Sequence, residues 1–291
     1  MQLIVHGGAG GAPDDPEPRQ AVLDEAAATG AAAETPLDAV ETAVRVLETD
    51  EQFNAGVGGA RQSDGIVRTD AGVMTGDRAV GAACSMPGVE HAVTVARGVL
   101  ERTPHILLAG DNAVAFADDI GVDVDVTLTT DRSTERWADL DPPDGSPLEQ
   151  LEWVSDQFGG GDGAHRPWDH DTVGAVARDG AAFAAATSTG GRWLALAGRV
   201  GDVPQVGSGF YAAPAGAASA TGAGEDIARV TLCRRAVQQL EAGDDAETAA
   251  TTAIEEFAAT TDATAGIIVI DDDGVGEAYN SEAMQTSTHA R

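Results

Sequence analysis

A glycine-rich break divides this sequence and constrains where its elements can lie. Gly159-Gly160-Gly161-Asp162-Gly163-Ala164, continuing through His165-Arg166-Pro167-Trp168, reads as a linker in which proteolysis is tolerated. Just beyond it, Thr172 heads the apolar run Val173-Gly174-Ala175-Val176, which predicts a buried strand. A threonine placed there has two readings. In the first it is a β-branched residue opening a strand. In the second the Asp171-Thr172 bond is cut, and Thr172 becomes a nucleophile whose own α-amine, with a pKa of about 7.7–8.0, serves as general base. His170 is the one other base nearby, and it reads as a linker residue.

Upstream of the break, a strand is expected over residues 2–6, followed by Gly7-Gly8-Ala9-Gly10-Gly11 and a helix over 16–28. A second helix is marked by Thr35 as N-cap, Pro36 at its first position and Asp38 in its first turn, and runs to about Leu47. Strands over 66–69, 79–84 and 105–109 alternate with helices over 89–101 and 112–119. A helix over 148–158, with Leu151 and Trp153 on its apolar side, closes this half. Downstream, strands over 172–177 and 181–186 join at Arg178-Asp179-Gly180. They precede a strand over 217–221, a long helix over 226–240, a helix over 246–259, and final strands over 266–270 and 276–279. Strands at both ends and helices in pairs predict an α+β fold of packed sheets covered by helices.

Charge limits the partners. All 17 basic residues are arginine against 48 acidic ones, a net charge of -31, which argues against nucleic acid and anionic membranes. Lysine is absent. An acidic surface of this kind stays solvated in high salt, where screening removes its self-repulsion, so a halophile's protein is expected rather than an acidic mesophile's. The two cysteines, Cys84 and Cys233, lie in apolar contexts far apart and are expected as buried free thiols. The strand-like start leaves no room for a signal peptide, and no apolar run is long enough to span a bilayer. A cytoplasmic location is expected. The turn Asp271-Asp272-Asp273-Gly274 reads as solvated rather than as a calcium site.

Three clusters set polar groups among glycines: Thr187-Ser188-Thr189-Gly190-Gly191, Gly198-Arg199-Val200-Gly201-Asp202 and Thr221-Gly222-Ala223-Gly224-Glu225. Arg199 suits a substrate carboxylate and Asp202 a substrate ammonium, together an amino-acid head group. In isolation the same two residues would form a surface ion pair of little consequence. Around Gly222 a backbone N–H can approach a reacting carbonyl, and the Thr221 hydroxyl can add a second oxyanion donor.

These segments, with His6-Gly7-Gly8-Ala9-Gly10 and Phe53-Asn54-Ala55-Gly56-Val57-Gly58, appear in one order along nearly the whole chain. In that order they resemble the plant-type L-asparaginase and isoaspartyl peptidase family of N-terminal nucleophile hydrolases. The resemblance implies a four-layer αββα sandwich in one domain, cut before Thr172 into an α chain of residues 1–171 and a β chain of residues 172–291. It implies hydrolysis of asparagine or of β-aspartyl dipeptides. Thr172 would be the nucleophile, oriented by Thr189, with Thr221 and the Gly222 N–H at the oxyanion. Arg199, Asp202, Thr221, Gly222 and Gly224 would bind substrate. His6, Gly7 and Gly8 would shape a loop near the scissile bond, and Asn54 would support the site from beneath. Residues 47–53 resemble a loop that holds a structural sodium ion through backbone carbonyls; no catalytic metal or cofactor is implied. The usual assembly would be a dimer of αβ units.

Two departures stand out. Asp171 occupies the place of the family's glycine before the nucleophile, so that His170-Asp171-Thr172 resembles the glycosylasparaginases, whose substrate is glycosylated asparagine. Ala223 replaces a polar residue. An esterase built on His6-Gly7-Gly8 needs a Gly-x-Ser-x-Gly elbow, and the sequence has none. The run Gly7–Gly11 lacks the lysine of a phosphate-binding loop. The remaining alternative is a binding protein that keeps the fold and never cleaves itself.

Overall fold

The computed structural model describes residues 1–13, 15–143, 145–158 and 172–291; the expected linker, with His170 and the Asp171 side of the expected cleavage site, lies outside the described residues. Two sheets form the centre. The larger joins β1 (Gln2–Gly10), β2 (Arg68–Thr75), β3 (Val80–Pro87), β4 (Leu107–Ala109), β5 (Val173–Asp179), β6 (Ala182–Thr189) and β11 (Ala283–Ala290) in the order β11-β1-β5-β6-β2-β3-β4. The smaller has the order β10-β9-β8-β7, from β7 (Phe210–Ala213), β8 (Gly216–Gly222), β9 (Ala265–Ile270) and β10 (Val275–Tyr279).

Side-chain alternation separates the layers. On β1, Leu3 and Val5 pack with helices α1 (Pro16–Ala31), α2 (Pro36–Thr49) and α3 (Ala92–Arg102), while Ile4 faces the second sheet. On β5, Val173, Ala175 and Ala177 face the helices, and Val176 faces the second sheet. The far side of the smaller sheet is covered by α8 (Leu232–Ala242) and α9 (Ala246–Thr260). This is the four-layer αββα sandwich of the sequence reading. Residues from either side of the break interleave in one sheet, because β5 pairs with β1 and β6 pairs with β2. A chain cut before Thr172 therefore stays joined through these ladders.

The local signals hold where a cap or a strong pattern exists. Thr35 accepts the Asp38 N–H at 3.2 Å and Asp245 accepts the Thr248 N–H at 2.8 Å, capping α2 and α9. Cys84 and Cys233 are buried free thiols.

Several expectations change. The strand expected over 66–69 begins at Arg68 and runs to Thr75. The long helix expected over 226–240 is two helices, α7 (Gly224–Val230) and α8, because Thr231 takes a left-handed conformation at φ 54. Glycines after His6 form no loop; they continue β1 to Gly10, with an irregularity in pairing between His6 and Ala9. The short strand β7 and the polar edge strand β11 were not expected, nor was α5 (Asp131–Ala138), which Thr130 and Ser133 close with a reciprocal cap. On α6 (Pro147–Phe158), Leu151 is 46% exposed rather than packed on an apolar side. Helix α4 (Gly110–Asp119) starts directly after β4. No described helix is long and apolar enough to cross a membrane.

Candidate active site

Thr172 is buried at the start of β5, and the register decides its neighbours. Val173 pairs with Ser188, so Thr172, one residue earlier, stands across from Thr189 at the end of β6. Thr189 in turn pairs with Asp70 on β2. All three side chains project toward the second sheet, as the alternation of each strand requires. From that sheet β8 contributes Thr221, whose Oγ1 accepts the Ala9 N–H at 3.3 Å. Beyond it Gly222 has φ +131 and turns the chain out of the strand; a side chain there would also strike the Thr264 carbonyl.

A buried polar chain lies beneath Thr172. Thr187 Oγ1 donates to the Gly209 carbonyl at 2.9 Å and lies 2.6 Å from Ser219 Oγ, which lies 2.9 Å from His6 Nε2. These contacts link His6, Ser219 and Thr187 into one hydrogen-bonded run between the two sheets. His6 Nδ1 is buried against the Thr172 backbone, which favours the protonated ring but is outweighed by burial. Burial holds the ring down to a pKa of about 3, so His6 stays neutral and acts as a fixed prop. Gly174 is the reason the prop fits. A Cβ at that position would stand 2.0 Å from Ser219 Oγ and 2.5 Å from His6 Nε2.

The head-group residues lie on the loop after β6. Asp202 is buried, its Oδ2 has no hydrogen-bond partner among the described residues, and burial pushes its pKa up to about 6. Arg199 is held by Glu225 at the start of α7 through Nε–Oε1 at 2.8 Å and Nη2–Oε2 at 2.9 Å. Partial burial opposes ionisation of Glu225, but the bonds and charge of Arg199 outweigh it and bring the carboxyl to about 2. Gly224 keeps the space between them open: a Cβ there would stand 2.5 Å from Asp202 Oδ1 and 2.9 Å from Arg199 Nη2. Gly224 thus lets the backbone approach both the cation and the carboxylate closely.

Asn54 ties the loop after α2 to the end of β6. Its Nδ2 donates to the Gly191 carbonyl at 2.6 Å and its Oδ1 accepts the Ala60 N–H at 3.0 Å, while its own carbonyl accepts the Gly190 N–H at 2.8 Å. Gly7 contributes its carbonyl, which receives Arg19 Nη2 at 2.7 Å, and Gly8 bends β1 at φ +120. In the segment 47–53, two carbonyls converge where a Cβ of Gly58 would be, Phe53 O at 2.5 Å and Glu51 O at 2.8 Å. Neutral oxygens of that kind fit a hard cation such as sodium. No cluster of His, Cys, Asp or Glu that could hold a metal occurs among the described residues.

Sequence reasoning passed over Asp70 and Ser219, and gave Glu225 and Glu48 no role of their own. Glu48 is fully buried on α2 and accepts Ser188 Oγ at 2.6 Å and the Val93 N–H at 3.0 Å, bracing β6 from its helix side. Asp70 is buried beside Thr189, accepts the Ser85 N–H at 2.7 Å and feels the charges of Arg199 and Asp202; burial pushes it up to about 7. A carboxylate inside an otherwise apolar strand, as in Thr69-Asp70-Ala71-Gly72-Val73, was the available signal.

Comparison with known proteins agrees with this geometry. A family model described as "Asparaginase" matches residues 1–291. The chain is 40% identical to a plant-type L-asparaginase of Pyrobaculum calidifontis and 38% identical to one of Pyrococcus abyssi; the alignments cover 97% and 98% of this chain and 94% of each relative. It is 37% identical to an isoaspartyl peptidase/L-asparaginase of Danio rerio, over 98% of this chain and 90% of that protein.

Proposed function

We propose a function from the premise that this chain belongs to the asparaginase family: it is an amidohydrolase that frees its own nucleophile at Thr172. It then hydrolyses L-asparagine and β-aspartyl peptides. One observation carries this reading. Asp202 keeps a buried carboxylate oxygen without a hydrogen-bond partner among the described residues, beside Arg199, whose guanidinium keeps one nitrogen beyond those that Glu225 takes, and an amino-acid head group supplies an ammonium to the first and a carboxylate to the second.

In the self-cleavage step, Thr172 Oγ attacks the carbonyl of Asp171 and the peptide becomes an ester. Water then releases the Asp171 carboxylate and leaves a free α-amine on Thr172. In turnover, Thr172 Oγ attacks the side-chain amide carbon of the substrate while its proton passes to that amine. The oxyanion forms against the Thr221 hydroxyl and the Gly222 N–H. Collapse returns the proton to the leaving nitrogen, expelling ammonia or an amino acid and leaving a β-aspartyl ester. Water, deprotonated by the same amine, completes aspartate and restores Thr172. Thr189, across the strand pair, orients the nucleophile, and His6 props it from beneath.

The loop 47–53 would hold sodium in a purely structural role, supported by the two carbonyls that converge at Gly58. A dimer of αβ units working in the cytoplasm at high salt completes the proposal, its salt preference supported by the net charge of -31 and the absence of lysine.

The test is direct. Purified protein incubated in salt is expected to separate into two bands on a denaturing gel, the smaller beginning Thr-Val-Gly-Ala-Val. Thr172→Ala should remain one band near 29.5 kDa and release no ammonia from asparagine. A single uncut band from the wild type, or activity in Thr172→Ala, would refute the reading.

A further inference from the structure

A cleft of about 510 Å³ opens beside the site and contains none of the head-group residues. Its inner wall is Gly8 and Gly10 of β1, which flank the Ala9 N–H bonded to Thr221, together with Asn54, which is tied to Gly191. Its outer wall is α5 with Trp193. The volume falls in the range of small-molecule sites, and an asparagine whose leaving group is ammonia has no use for it.

The charge of the cleft runs against that of the protein. In a chain of net charge -31, three arginines line it among the described residues, Arg19, Arg132 and Arg136, against the two carboxylates Asp15 and Glu51. Arg132 and Arg136 sit four residues apart on α5 and therefore share a face. Arg136 lies 4.0 Å over the Trp193 ring, and Arg19 donates to the carbonyls of Gln52 and Gly7. Arg132 has no hydrogen-bond or ion-pair partner among the described residues and is exposed toward the cleft.

We infer that this cleft receives the leaving amino acid of a β-aspartyl dipeptide, whose free α-carboxylate pairs with Arg132 while its side chain lies along Trp193. The inference rests on the proposed function and names the leaving group that the same site accepts. A guanidinium without a partner matches a carboxylate in charge and geometry, and the ammonia released from asparagine offers neither.

Three substrates separate the possibilities in mature wild type and in Arg132→Ala, at one fixed salt concentration: L-asparagine, β-aspartyl-leucine, and β-aspartyl-leucine amide, which lacks the carboxylate. Arg132→Ala is expected to raise KM for β-aspartyl-leucine about fivefold, the worth of one exposed charge pair. It should leave the KM for asparagine and for the amide unchanged. An unchanged KM for the dipeptide or an equal rise for all three substrates would overturn the inference and leave the proposed function standing, whereas a wild type that hydrolyses asparagine and not the dipeptide would overturn the inference together with the β-aspartyl half of the proposed function. A processed wild type that hydrolyses none of the three would overturn both.

Discussion

Asp70 on β2 pairs directly with Thr189 on β6, which stands across from Thr172 on β5, so a buried carboxyl ends the row of side chains that begins at the nucleophile. Burial raises this carboxyl to about 7. Between its unfolded value of about 3.9 and that raised value, the folded protein keeps a proton that the unfolded chain has lost. The folded state binds more protons there, so this group's contribution to stability falls as pH rises from about 4 through 7 and is flat above. Asp70→Asn cannot ionise and keeps an acceptor for the Ser85 N–H. The Tm of the variant minus that of the wild type should therefore grow between pH 4 and pH 7. A constant difference over that range would show that Asp70 does not hold its proton in the folded state.

Asp202 predicts a second pH dependence, in binding. Its carboxyl has to be ionised to hold an ammonium, and burial places its pKa at about 6. The inhibition constant of the product aspartate should be flat above that pH. Below it the constant should rise about tenfold per unit as Asp202 takes up a proton. Inhibition that is independent of pH down to 4.5 would remove Asp202 from ammonium binding.

Glu225 holds Arg199 by one edge of its guanidinium, through Nε and Nη2, and thereby fixes the remaining Nη1 beside Gly201. Glu225→Ala frees the side chain to rotate. Its expected effect is a rise of about three- to tenfold in KM for asparagine with kcat nearly unchanged, as for the loss of a partly screened bidentate pair. A fall in KM would mean instead that Glu225 competes with the substrate carboxylate.

Gly174→Ala tests the prop beneath the nucleophile. The added methyl would overlap Ser219 Oγ and His6 Nε2, so either the hydrogen-bond chain breaks or the sheets part locally. A loss of about 1–3 kcal/mol in stability is expected from overpacking alone. Slower self-cleavage should accompany it, read as band conversion on a denaturing gel over time. Normal cleavage in a destabilised Gly174→Ala would show that His6 and Ser219 support the fold and not the nucleophile.

The sequence by itself determined the elements whose causes are local and the chemistry whose residues are adjacent. Thr35, Pro36 and Asp38 begin α2 because a cap needs only a short stretch of chain, and Arg199 with Asp202 reads as a head-group clamp because their charges stand three positions apart. Thr231 carries no Gly or Pro signal, so the break between α7 and α8 is invisible until tertiary packing imposes it. The polar strand β11 likewise exists only because β1 offers it an edge, since its own residues do not form an apolar strand pattern. What only the tertiary structure decided is which distant residues share a face. Strand register sets Asp70 beside Thr189 from 119 positions away, and the stacking of two sheets carries Ser219 to His6 across 213 positions. Such neighbours follow from how whole layers align, a property of the folded chain that no local stretch of sequence encodes.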